Sequence, residues 1–260
     1  MRVAAYQMTV TGDTEANFAR IADGIEKAAA AGAQLVALPE CAISGYPPHH
    51  QTSLDEIDTA RIAELNGEVC ELAGKHAIAV VLGTILMSSE GLLNSALLIS
   101  PEGDTIGRYD KLHLMPDDKD YFAPGVGLAP FELNGLTVGV LICYDARFPE
   151  PFRYLRECGA RLIVNISNAR GGDTWKRPVL EGTYRTRASE NSCFLVAVNA
   201  AGPDQMAVSR IVNPVGLDLA FAQPDTEEML IADLDLSETE TGYFFDRRTD
   251  QFGVVARWML

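Results

Sequence analysis

Val138-Gly-Val-Leu-Ile-Cys143-Tyr-Asp-Ala-Arg-Phe-Pro-Glu150 is the stretch from which the rest of the chain is read. An apolar β-type run ends abruptly at Cys143. A polar turn and Pro149-Glu150 follow, and residues 151–158 have helical character. Strand, turn and helix is the repeating unit of α/β proteins, whose sites gather where strands end. A cysteine at that junction faces exposed backbone N–H groups and a helix N-terminus, and both favour thiolate. Most cysteines are inert core residues. The strand-exit position points instead to a nucleophile. Arg147 and Glu150 are expected to hold the turn behind it through helix-start charge interactions rather than to touch substrate.

Working outward, strands at 136–142, 162–166 and 194–199 alternate with helices at 151–158 and 176–191. β-rich pieces at 209–213, 217–222 and 228–234 follow. The first half has the same sense. Strands are expected at 2–8 and 34–38 and helices at 15–31 and 59–76. Three strand-like pieces, 77–86, 93–100 and 105–109, are separated by turns at Glu90-Gly91 and Glu102-Gly103. In the helix at 15–31, Phe18, Ile21, Ile25 and Ala29 form one stripe, with Gly32 just past its end. A polar loop spans 115–127. The architecture expected is two β-sheets packed together with helices outside. No linker, low-complexity tract or short repeat interrupts the chain, so residues 1–260 are expected to form a single domain. Residues 239–260, with Tyr243, Phe244, Phe245, Arg247, Arg248 and Trp258, lack a strong period and are expected to pack on a neighbouring subunit.

A chain of 260 residues, 47% hydrophobic, suits one large α/β domain. Its net charge of -15 argues against nucleic acid and anionic membranes as partners. The five cysteines, Cys41, Cys70, Cys143, Cys158 and Cys193, are odd in number and contain no CxxC pair. That usage indicates a reducing compartment without a disulfide framework. The N-terminus is already strand-like and lacks a signal-peptide h-region, and no run of about 18 apolar residues could span a membrane. The expected location is cytoplasmic. His49-His50 has no further ligand at suitable spacing, so no metal is expected.

Three polar residues sit directly after strand-like runs: Glu40, Lys111 and Cys143. Strand ends far apart in sequence can converge at one edge. Together the three side chains permit acyl transfer. Cys143 would attack a carbonyl carbon. Glu40, with its pKa raised by partial burial, would take the thiol proton and pass it to the leaving amine. Lys111 and the backbone N–H after Cys143 would stabilise the oxyanion. Tyr46, Tyr144 and Trp175 are candidate pocket aromatics. Asn168, just past the strand at 162–166, is a candidate to line the site. His113 is expected to pack against the sheet edge.

These residues resemble the three catalytic blocks of the nitrilase (carbon–nitrogen hydrolase) superfamily. The blocks are Leu38-Pro-Glu40 with Ser44-Gly-Tyr46, then Tyr109-Asp-Lys111-Leu-His-Leu114, then Ile142-Cys-Tyr-Asp-Ala-Arg-Phe-Pro-Glu150. Asn94-Ser95, Arg185-Thr-Arg-Ala-Ser-Glu190-Asn191, Asn199-Ala-Ala-Gly202 and Pro214-Val-Gly216 are similar to its flanking signatures. The resemblance implies a four-layer αββα sandwich of two mixed β-sheets flanked by helices. It also implies a Glu40–Lys111–Cys143 triad, no metal or organic cofactor, and a homodimer or larger homo-oligomer. Many members carry a further Glu after the lysine block. Here the position falls on Asp118 counting back from Pro124-Gly125, or on Asp117 counting forward from His113-Leu114. Gln205-Met-Ala-Val stands where many members have a Gly-rich turn. The wording around Cys143 looks most like the small amidase branches, implying a small-molecule primary amide as substrate. N-carbamoyl compounds or nitriles on the same triad are the alternatives, and a non-catalytic binding protein with this fold is the distant one. The acyl group is not legible.

Overall fold

The computed structural model describes residues 1–47, 49–251 and 253. In chain order the elements are β1 (Arg2–Gln7), α1 (Thr14–Ala30), β2 (Leu35–Ala37), α2 (Thr59–His76), β3 (Ala79–Ser88), β4 (Gly91–Ile99), β5 (Thr105–Asp110) and β6 (Phe131–Leu133). They continue with β7 (Leu136–Ile142), α3 (Pro149–Glu157), β8 (Leu162–Ser167), α4 (Arg177–Asn191), β9 (Phe194–Asn199), β10 (Arg210–Val212), β11 (Asp218–Phe221), β12 (Glu228–Asp233) and α5 (Tyr243–Asp246). Local chemistry sets the helix starts. Asp13 accepts from the Ala16 N–H and Asp58 from the Arg61 N–H, so each carboxylate satisfies a donor that the first turn leaves open.

One sheet runs β12-β1-β2-β3-β4-β5 and the other β11-β10-β9-β8-β7-β6. Both are mixed. β1, β2 and β3 are parallel, as are β7, β8 and β9, and antiparallel strands complete each sheet. The period of two in β1 shows how the layers form. Val3 and Ala5 face the second sheet, packing in one cluster with Val138, Val140 and Val164. Ala4 and Tyr6 face the other way, onto Ile21 and Ile25 of α1 and Ile62 and Leu65 of α2. On the far side, Phe152 and Leu155 of α3 and Leu180, Tyr184 and Ala188 of α4 cover the second sheet. The layers are therefore helices, sheet, sheet, helices: the αββα sandwich expected from sequence. Burying each large aliphatic side chain in these layers contributes roughly 1.5–3 kcal/mol.

Helix α3 starts at Pro149, two residues earlier than expected, because a proline is favoured in a first turn. Strand β6 was not anticipated; its three residues are too few for a periodic signal. Segment 239–251 touches its own chain at a few points, while Tyr243 and Phe245 are exposed. Thr239 is fully buried, and the Arg156 guanidinium of α3 lies 4.5 Å from the Phe244 ring. Pro48, Phe252 and residues 254–260, with Trp258, lie outside the described residues, and so does the tail expectation where it falls on them. Among the described residues no helix is long and apolar enough to cross a membrane.

The arrangement brings four strand exits together. Glu40 follows β2, Lys111 follows β5, Cys143 follows β7 and Asn168 follows β8, two exits from each sheet. The sheets are stitched there by main chain: the Glu40 N–H donates to the Ser167 carbonyl at 3.4 Å.

Candidate active site

Glu40 sits in the turn after β2, with no solvent exposure. The turn lies tightly on β3 because residue 83 is glycine. A Cβ there would stand 2.0 Å from the Pro39 carbonyl oxygen and 2.8 Å from Glu40 Cα. Both carboxylate oxygens are engaged. Oε1 accepts from Lys111 Nζ and from Asn94 Nδ2, each at 2.7 Å. Oε2 accepts from the Asn168 main-chain N–H at 2.8 Å. Burial pushes the carboxyl pKa up, the Lys111 charge opposes this, and the negative charge of Asp118 adds to the rise.

Lys111 is 1% exposed, and its Nζ also donates to Asp118 Oδ2 at 2.7 Å. Burial works against the ammonium, but Glu40, Cys143 and Asp118 outweigh it and raise the pKa above the ordinary lysine value. Asp118 is fully buried, whereas Asp117 is exposed. A one-turn 3-10 helix at Asp117–Asp120 aims Asp118 inward. Its Oδ2 also accepts from the Met115 N–H at 2.9 Å, and its Oδ1 accepts from the Tyr46 hydroxyl. The side chain of Asp, one methylene shorter than Glu, thus reaches the ammonium. Tyr46 is buried, and Lys111 Nζ lies 5.7 Å from its ring centroid.

Cys143 has φ +46, a left-handed conformation that costs a non-glycine residue on the order of 1 kcal/mol or more. The 3-10 turn Cys143–Arg147 is held in that shape by Asp145. This fully buried carboxylate accepts from the Ile142 N–H at 3.0 Å and the Tyr109 hydroxyl at 2.7 Å. It also accepts from the His113 N–H at 3.0 Å and lies 2.7 Å from His113 Nδ1. Asp145 thereby ties the cysteine turn to the lysine loop. Sequence reading passed over it, although a buried Asp two residues after a strand-exit cysteine could have suggested a turn cap. It also passed over Asn94 as a partner of Glu40.

Two expectations change at this turn. The Cys143 thiol pKa is raised, not lowered. Burial is the main cause, the Glu40 charge follows, and Lys111 only partly opposes them. The 3-10 turn Cys143–Arg147 separates the sulfur from the start of α3 at Pro149. Arg147 does not hold the turn, because its side chain lines a cavity. Glu150 is exposed in the first turn of α3. His113 stacks on Phe148 at 4.0 Å between centroids as well as pairing with Asp145.

The cavity has a volume of about 580 Å³ and opens at Cys143. Tyr144, Phe148, Leu180 and Tyr184 wall it, and Trp175, 72% exposed, stands at its edge. Tyr144 packs edge-on against Phe148. Asn168 is buried beside Glu40, and its Oδ1 accepts from Gln205 Nε2 at 2.8 Å. Gln205, at the unusual turn, is therefore part of the support behind the site. The structure brings Glu40, Lys111, Asp118, Tyr46 and Asn168 into one buried cluster, with Cys143, partly exposed, and Tyr144 on the cavity wall beside it. Among the described residues no group of three or more His, Cys, Asp or Glu side chains could hold a metal ion. A thiol next to a buried carboxylate and ammonium, opening onto an apolar cavity, is equipped for nucleophilic attack on a polarised carbon.

A profile described as Carbon-nitrogen hydrolase matches residues 2–242. The chain is 30% identical over 253 residues to a Staphylococcus aureus protein described as a hydrolase in the agr operon, covering 92% of this chain and 93% of that one. It is 32% identical over 252 residues to an (R)-stereoselective amidase of a Pseudomonas species, covering 91% and 87%. Among solved structures, the amidase of Nesterenkonia sp. AN1 matches with a TM-score of 0.84 at 27% identity, covering 96% of this chain and 98% of that one. A Glu-to-Gln variant of that amidase shows covalent addition of the acetamide moiety of fluoroacetamide at the active-site cysteine.

Proposed function

Because this chain belongs to the carbon–nitrogen hydrolase family, we propose that it hydrolyses a small aliphatic primary amide to carboxylic acid and ammonia through a thioester on Cys143. The observation that carries this reading is the enclosed contact of Lys111 Nζ with Glu40 Oε1 at 2.7 Å beside the Cys143 thiol.

The raised thiol pKa means that sulfur starts protonated, with Glu40 as its hydrogen-bond partner. As Sγ attacks the amide carbon, its proton passes to Glu40 and negative charge develops on the carbonyl oxygen. Lys111 and the Tyr144 N–H stabilise that oxyanion. The tetrahedral intermediate collapses as Glu40 returns the proton to the leaving nitrogen, and ammonia departs. Glu40 then takes a proton from water, whose oxygen attacks the thioester; as the C–S bond breaks, Glu40 returns that proton to the departing sulfur, giving the acid and the free thiol. Splitting the hydrolysis into two acyl transfers lowers each barrier. Asp118, held by Tyr46 and the Met115 N–H, keeps Lys111 charged and oriented.

The enzyme in this reading is one domain working without cofactor as a cytoplasmic homodimer or larger homo-oligomer. The five free cysteines support a reducing location. Ammonia release from a panel of primary amides tests the activity, with carbon dioxide measured in parallel. Ammonia without carbon dioxide, lost in Cys143→Ala, supports amide hydrolysis. Ammonia with stoichiometric carbon dioxide from an N-carbamoyl compound would replace it with carbamoyl hydrolysis. Ammonia release retained by Cys143→Ala would end the thioester mechanism.

A further inference from the structure

A carboxylate offers about four lone-pair sites, two on each oxygen. On Glu40, Oε1 is full, because Lys111 Nζ and Asn94 Nδ2 both donate to it at 2.7 Å. Oε2 takes one donor, the Asn168 main-chain N–H at 2.8 Å, and keeps one site open. Asn168 lies just past Ser167, the last paired residue of β8, so no strand neighbour fixes it. Among the described residues its side chain has a single hydrogen bond: Oδ1 accepts from Gln205 Nε2 at 2.8 Å, and Nδ2 has no partner. Gln205 is itself anchored. Its main-chain N–H donates to the Gly202 carbonyl at 3.3 Å, and its carbonyl accepts from Arg177 of α4 at 3.0 Å. Its Oε1 accepts from Asn199 Nδ2 at 3.0 Å. The Ala169 N–H donates to Asn199 Oδ1 at 2.9 Å, which settles the end of Asn199 that faces Gln205. Three buried amides, Asn199, Gln205 and Asn168, are thus oriented in series up to the base.

Resting on the thioester mechanism proposed above, we infer that Oε2 is the oxygen of Glu40 that takes the Cys143 proton, and that Gln205 is the positioning residue that aims it through Asn168. The proton leaves sulfur as the C–S bond forms, occupies the open site on Oε2, and passes from there to the leaving nitrogen. Oε1, facing the ammonium of Lys111 with both its sites taken, is the poorer acceptor. The Asn168 N–H stays on Oε2 while the proton comes and goes. Because that donor favours the ionised carboxylate, the firmness with which Gln205 holds Asn168 sets the pH at which the base works.

The test uses Gln205→Met, which keeps the length of the side chain and removes the donor. In a variant that circular dichroism shows to be folded, kcat on the best amide of the panel should fall about tenfold or more with KM little changed, as a displaced base predicts. The acidic limb of kcat/KM should move to higher pH, because a weaker Asn168 hydrogen bond leaves Glu40 harder to ionise. Gln205→Glu keeps its bond to Asn199 but cannot donate to Asn168, and it should move the limb the same way where Gln205→Met does not fold. In an Asn168→Leu background, Gln205→Met should cost nothing further. The pH dependence of iodoacetamide alkylation of Cys143 reads the same carboxyl without turnover, and its midpoint should rise in both Gln205 variants. An acidic limb and kcat equal to wild type in a folded Gln205 variant, or losses that add fully in the double variant, would overturn the inference and leave amide hydrolysis standing. Ammonia from no amide, with the alkylation midpoint shifted, would remove the proposed activity and keep the positioning role. Ammonia from no amide with an unshifted midpoint would remove both.

Discussion

Glu40 and Asp118 meet on a single ammonium: Lys111 Nζ donates to one oxygen of each carboxylate at 2.7 Å, with all three side chains out of contact with solvent. Two buried negative charges and one positive charge leave the cluster with a net negative balance. That balance keeps Lys111 charged, and it adds to burial, the main cause, in holding the Glu40 and Cys143 protons more tightly than in water. The site stores its proton on sulfur and has the base in place to take it.

Removing the ammonium should damage fold and function together. Lys111→Met leaves two uncompensated buried carboxylates, and breaking such a cluster costs about 3–5 kcal/mol. Urea unfolding should show the midpoint drop, and no ammonia should be released. A stability unchanged from wild type would mean that the carboxylates are not buried as described.

Asp118→Asn should move the pH dependence. Burial is the main reason the Glu40 pKa is high, Lys111 lowers it and Asp118 raises it. Taking away the Asp118 charge therefore lowers the Glu40 pKa, and the base stays ionised to lower pH. The acidic limb of the kcat/KM profile should shift downward. The value of kcat itself should fall, because the amide turns a donor toward either Lys111, Tyr46 or the Met115 N–H. An acidic limb that stays put would separate it from Glu40.

A second titration should be visible in stability. His50 Nδ1 accepts from the Tyr46 N–H at 2.9 Å, and the Arg170 guanidinium lies 2.9 Å from its Nε2. Burial, and next the Arg170 charge, lower the His50 pKa from 6.5 to about 4. A folded-state pKa below the unfolded one means that the unfolded chain takes the proton first. The stabilisation from neutral His50 is present above pH 6.5 and is lost as pH falls toward 4. His50→Gln should flatten the decline of Tm across that window. A wild-type Tm that is level there would exclude the effect.

How much of this was open to sequence reading depended on distance along the chain. Glu40, Lys111 and Cys143 each stand beside a strand that announces itself through its apolar run, so their exits could be placed without coordinates. The choice between Asp117 and Asp118 could not be made, because it depends on the phase of a four-residue 3-10 turn. Asp145 was missed because two of its partners, Tyr109 of β5 and His113 of the loop after it, lie more than thirty residues away. Arg147 was misread for a related reason. The segment after Cys143 was read as a polar turn whose shape the sequence does not fix, and it is a 3-10 turn that places residue 147 at the cavity. The thiol pKa was misjudged because backbone dipoles are legible from position, but burial against a carboxylate is not.

Gly83→Ala tests whether the close approach of β3 to the Glu40 turn is required. The added methyl would meet the Pro39 carbonyl at 2.0 Å, and both partners are main chain. Overpacking of this kind costs typically about 1–3 kcal/mol. The turn must lift, carrying Glu40 away from Lys111. Thermal unfolding should register the loss of stability, and kcat should fall more than KM rises. A fully active Gly83→Ala enzyme would show that the turn has room to spare.

Asp145→Asn tests how the nucleophile is positioned. The carboxylate has donors from three directions: the Ile142 N–H, the Tyr109 hydroxyl and the His113 main chain and ring. An amide in its place must direct its NH2 at one of them, leaving a buried donor unmatched at a cost of about 1–3 kcal/mol. The Asp145 carboxylate anchors the main chain leading into Cys143, which has φ +46, so the turn should relax and move the sulfur relative to Glu40. Misplacement on the ångström scale costs roughly tenfold to a hundredfold in rate. The loss should fall on kcat, with KM little changed, because Asp145 does not line the cavity. Iodoacetamide alkylation of Cys143 separates this positioning role from a general weakening of the fold. Its rate should change in Asp145→Asn at temperatures where circular dichroism reports a fully folded protein. An alkylation rate and kcat equal to wild type in a folded Asp145→Asn protein would remove Asp145 from the positioning of the nucleophile.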